Sequence, residues 1–65
     1  MKEFEDILLE RFGEGRPILV GDILSLFPDV SRVTVYQRIN SAISKGSLER
    51  YGRGVYCIPR QGLFG

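Results

Sequence analysis

Arg32, Thr34, Gln37, Arg38 and Ser41 are interleaved with Val35, Ile39, Ala42 and Ile43 in one short segment. At helical spacing the four apolar residues make one stripe. The polar five then fall on or beside the opposite face. Side chains of these types suit a duplex groove. Glutamine pairs with adenine, arginine with guanine, and threonine touches a thymine methyl or a phosphate. Ser31 is a favoured N-cap type, and the helix start it caps offers backbone N–H groups to a phosphate. Tyr36 sits at the margin, placed either to bond a phosphate through its hydroxyl or to pack against the β-hairpin wing. The same pattern also describes the solvated side of any amphipathic helix, so the helix alone does not choose between the two.

Charge supplies a second clue. Residues 1–31 hold three basic and seven acidic residues, a balance of −4. Residues 32–65 hold six basic residues against Glu49 alone, a balance of +5. The whole-chain value of +1 hides this split. A basic half is the electrostatic footprint expected of a polyanion reader. Arg53 lies between Gly52 and Gly54, a place where an arginine has no core to enter. It is free to reach a phosphate or a minor groove, or it serves only to solubilise a turn. Strand parity leaves the face of Arg50 open, and Glu49 has a cross-hairpin pairing as its simplest role.

These residues need elements to position them. Phe4, Ile7, Leu8 and Phe12 predict a first helix over about residues 2–12, with Glu3, Glu5 and Asp6 in its first turn and Gly13 and Gly15 ending it. Arg16-Pro17 reads as extended, and Ile18-Leu19 as a short strand. A second helix follows from about Val20 to Phe27, poorly capped, with Ile23, Leu24 and Phe27 inward and Pro28 as its stop. The third helix starts at Ser31, with Val30 and Val35 as a hydrophobic staple and no capping box, because Thr34 holds the third position. Lys45 and Gly46 finish it. Two strands, Leu48–Tyr51 and Val55–Ile58, flank Gly52-Arg53-Gly54, where glycine supplies the positive φ of a tight turn. Alternation puts Tyr56 and Ile58 on the core side and leaves Val55 and Cys57 outward. Phe4, Phe12, Phe27 and Tyr56 are the expected large core side chains. The tail ends on Leu63-Phe64 with no element to pack it, as in a domain cut from a longer protein.

The order helix, strand, helix, helix, strand, strand predicts an α+β, mainly α, three-helix winged helix-turn-helix with a two- or three-stranded β-wing. Sixty-five residues make one domain, 1–65. One cysteine permits no internal disulfide, which suits a reducing cytosol, and no second Cys, His or Asp stands at a spacing that would make Cys57 a nucleophile. Histidine is absent, which removes the commonest general base and metal ligand. The acidic residues of the first helix show no paired-carboxylate geometry, and no phosphate loop is present. We therefore expect no catalytic residues, no cofactor and no metal. No apolar run approaches the roughly 18–20 residues of a membrane span, and MKEFED is too acidic for a secretion signal. The expected location is the cytoplasm.

The segment from Val30 through Pro59, with its VYQRI helix, its AISKGSLERYGRGVY run and its Ile58-Pro59 finish, resembles the N-terminal winged-helix domain of AbiEi-type antitoxins of type IV toxin–antitoxin systems. The most specific piece is G-x-L-x-R-x-x-R-G-V-Y, here Gly46, Leu48, Arg50, Arg53, Gly54, Val55 and Tyr56. The resemblance implies a bacterial DNA-binding domain that represses its own operon, with contact through the third helix and the wing. In that family a separate C-terminal domain opposes a nucleotidyltransferase-like toxin. The chain lacks such a domain, so a C-terminal domain or toxin partner would belong to a full-length protein.

The expected contacts to double-stranded DNA are Ser31, Arg32, Thr34, Tyr36, Gln37, Arg38, Ser41, Arg50 and Arg53. A homodimer on two half-sites would extend so small an interface. The alternatives are a winged-helix protein-interaction or dimerisation module that does not bind DNA, and a structured-RNA reader using the same basic face.

Overall fold

A computed structural model describes residues 3–60. The elements in chain order are α1 (Phe4–Phe12), β1 (Pro17–Leu19), α2 (Val20–Leu26), α3 (Arg32–Lys45), β2 (Glu49–Gly52) and β3 (Val55–Cys57). The sheet is antiparallel, with strand order β1-β3-β2. This is the α+β winged-helix layout expected from the element order, with a three-stranded wing. The apolar pair Leu63-Phe64, expected to have no element to pack against, lies outside the described residues.

Each helix ends where local chemistry ends it. The Glu3 amide donates to Asp6 Oδ2 at 3.3 Å and opens α1. Gly13, with φ 80°, closes it and donates its amide to the Leu9 carbonyl at 2.9 Å. At α3 the Thr34 amide donates to Ser31 Oγ at 3.2 Å, the side-chain cap expected there. Gly46 takes the left-handed conformation, φ 83° and ψ 7°. The Ser47 amide then donates back to the Ala42 carbonyl at 2.9 Å, the wider bond of a Schellman ending. A residue with a Cβ would pay for that conformation sterically.

The core lies between the helices and one face of the sheet. Leu8, Ile18, Ile23, Val35, Ile39, Ala42 and Leu48 are its most buried members. The expected aromatic core is thus only half right. Phe4 and Tyr56 are buried, but Phe12 and Phe27 pack at the edge. Branched aliphatics take the centre. Phe27 instead stacks on Phe4 at 5.4 Å, closing the end where α1 meets α2. Val30 packs against the cluster that contains Val35, as a staple requires.

Three expectations about the wing need correction. Cys57 does not face solvent: it is 0% exposed. β3 is the central strand, flanked by Pro17 of β1 and Glu49 of β2 at this register. On the outer face the Tyr51 phenol hydrogen-bonds the Cys57 thiol, which holds its pKa above the ordinary 10.0. The thiol in turn donates to the Ile58 carbonyl at 3.5 Å. The second correction concerns the turn. Only Gly54 has positive φ, 71°, while Gly52 belongs to β2 and pairs with Val55. The register breaks between Arg50 and Gly52, so Tyr51 sits on a bulge. Third, Ile58 lies just past the end of β3, though it is buried as expected.

Candidate nucleic-acid interface

α3 presents three polar rows around its buried stripe of Val35, Ile39 and Ala42. At 3.6 residues per turn, positions i, i+4, i+7 and i+11 follow one line along a helix. Thr34, Arg38, Ser41 and Lys45 form the row nearest α1. Arg38, Ser41 and Lys45 share a groove there with Glu3, Phe4, Glu5 and Ile7 of α1. Lys45 Nζ meets Glu5 Oε2 at 3.2 Å across it. Arg32 and Tyr36 lie on the other margin, and both are exposed. Val33, Gln37, Asn40 and Ser44 run down the middle, all exposed and directly opposite the core.

The structure therefore divides the polar set expected on one face. Gln37 alone points straight out. Arg38 and Ser41 face the acidic start of α1, and Arg32 is separated from them by the central row. A simple apolar-versus-polar division of the helix could not resolve these rows. Val33 and Asn40 were missed as surface candidates. Valine reads as a core residue by type, and its phase, two positions before Val35, was the signal that could have placed it outside.

Ser31 and Thr34 have structural work at the N-cap. Ser31 Oγ accepts the Thr34 amide and donates its own proton to Thr34 Oγ1 at 3.0 Å. The Thr34 hydroxyl proton remains to be given to an outside acceptor such as a phosphate oxygen.

The wing places the remaining arginines. Arg53 is exposed, in the turn between β2 and β3. The turn does not hang free: the Val20 amide donates to the Gly54 carbonyl at 2.9 Å, joining it to the start of α2. Arg50 pairs with Tyr56 and so shares the core side of the sheet. It is nonetheless exposed, because β2 is an edge strand. The outer face of the sheet exposes two large apolar side chains, Leu19 at 55% and Tyr51 at 65%, with the charged Glu49 beside them opposite Cys57.

Among the described residues, no helix is long and apolar enough to cross a membrane, and no cluster of His, Cys, Asp or Glu is arranged to hold a metal ion. No protein-family model, curated protein or solved structure matches the chain.

Proposed function

We propose that the chain binds double-stranded DNA without catalysis, with α3 in the major groove and the β2–β3 turn on the adjacent backbone. The observation that carries this reading is the layout of α3. A row of uncharged, exposed side chains is flanked on both margins by cations, with Arg53 on a turn tied to α2. A groove reader needs that division, because phosphate contacts position a protein and base-edge contacts confer sequence preference. The resemblance to AbiEi-type winged helices extends the proposal to a bacterial, cytoplasmic repressor that acts on its own operon. It would act as part of a longer protein or as a homodimer on paired half-sites.

NMR mapping of amides during titration with duplex DNA at low and moderate salt tests this. Shifts centred on residues 31–44 and 50–54, fading as salt rises, are expected. A folded chain that shows no shifts at low salt would remove the reading.

One observation favours a second reading. Leu19 and Tyr51 expose apolar surface on the outer sheet face, away from the core. A protein-docking or dimerisation module would use that face. Titration shifts or self-association confined to Leu19, Tyr51 and Val55 would support it.

A further inference from the structure

Val33 is the most exposed large apolar side chain among the described residues, at 67%. It lies in the central outward row of α3, with Gln37 one turn on and Asn40 next. Val33 contributes nothing to the core cluster. As a β-branched residue it also favours a helix less than alanine would. Its place is therefore not explained by folding.

The row as a whole has a consistent chemistry. Valine offers methyl groups only. Glutamine and asparagine each offer an acceptor and a donor in fixed geometry. No charge lies in the row, while Arg32 stands on one side of it and Arg38 and Lys45 on the other. In the major groove, thymine is marked by its C5-methyl group, and adenine by N7 and N6, which a side-chain amide can bond in bidentate fashion. From Val33 to Gln37 the helix rises about 6 Å, close to two base-pair steps of about 3.4 Å. Asn40 lies about 4.5 Å further on, at a rise of about 1.5 Å per residue.

We infer that α3 reads an A·T-rich half-site of three to four base pairs, with Val33 against a thymine methyl and Gln37 and Asn40 on adenines. The occupant is duplex DNA, and the flanking cations supply the charge complementarity. The inference rests on the DNA-binding reading above and adds the base identity and the residues that select it.

The test starts from a random duplex library selected with the 65-residue chain at low salt. Each thymine of the preferred site is then replaced in turn by deoxyuridine, which removes only the methyl group. At one position the affinity should fall about four-fold, the equivalent of about 0.8 kcal/mol for one buried carbon. Val33→Ala should discriminate the thymine from the deoxyuridine duplex less than wild type does, because it loses both γ-methyl groups. This variant keeps its fold, because the side chain it loses is on the surface. A selected site with no A·T preference, or a wild-type chain indifferent to every thymine methyl, would overturn the inference and leave DNA binding standing. Unchanged discrimination by Val33→Ala would overturn the role of Val33. Failure to bind any duplex would overturn both the inference and the reading beneath it.

Discussion

The Val20 amide donates to the Gly54 carbonyl at 2.9 Å, and this bond joins the tip of the wing to the first residue of α2. α2 begins with no side-chain cap at Leu19. The wing backbone therefore satisfies one of the amide groups that a helix start leaves unpaired. One bond serves both elements: it completes the helix start and sets where Arg53 is held relative to the helix pair.

Gly54→Ala should loosen this arrangement. A Cβ there would meet Val20 Cγ1 at 3.5 Å, an ordinary contact, so space is not the obstacle. The cost comes from φ 71°, which an L-residue adopts at a penalty of about 1–2 kcal/mol. Gly52→Ala, with no positive φ and nothing within 4 Å, is the control and should change stability by much less. Urea unfolding of the two variants compares them directly.

Arg53→Ala should leave the fold intact and weaken binding to all duplexes alike. If Arg53 neutralises one phosphate, the slope of log affinity against log salt should flatten by about one unit. Arg38→Ala should do the same from the α3 side. Affinity measured across a salt series provides the slopes, and two slopes equal to wild type would exclude both phosphate contacts.

Ile39→Ala removes a side chain that is 0% exposed and sits between the helices and the sheet. Lost burial and the cavity left behind should cost about 2–4 kcal/mol. A domain of this size is stable by only about 3–10 kcal/mol at the usual value per residue. The variant should therefore melt far below wild type, or be unfolded at room temperature by circular dichroism.

Glu5→Gln separates stability from binding. The Glu5–Lys45 bridge spans 3.2 Å, but Lys45 is 57% exposed, so its loss should cost less than about 1 kcal/mol. Removing the carboxylate frees Lys45 Nζ and takes a negative charge from the margin of α3. DNA affinity at low salt should rise, while the melting temperature barely moves. Unchanged affinity would mean that this margin does not approach the phosphates.

The sequence by itself determined the elements. Ser31, Gly46, Gly13 and Pro28 mark boundaries through the backbone geometry each residue favours or forbids, and this is local information. The stripe of Val35, Ile39 and Ala42 showed the inner side of α3 for the same reason. Tertiary structure alone decided what lies next to what. Cys57 became buried because β3 acquired a strand on each side and Tyr51 folded over it from a bulge. Arg38 and Lys45 became one margin of α3, rather than its front, because α1 brought Glu5 beside them. The front-row places of Val33 and Asn40, by contrast, follow from the same local stripe, although valine's apolar type disguised the first. Alternation and helical period are properties of one segment, whereas strand order, bulge position and the packing of α1 on α3 depend on residues distant in the chain.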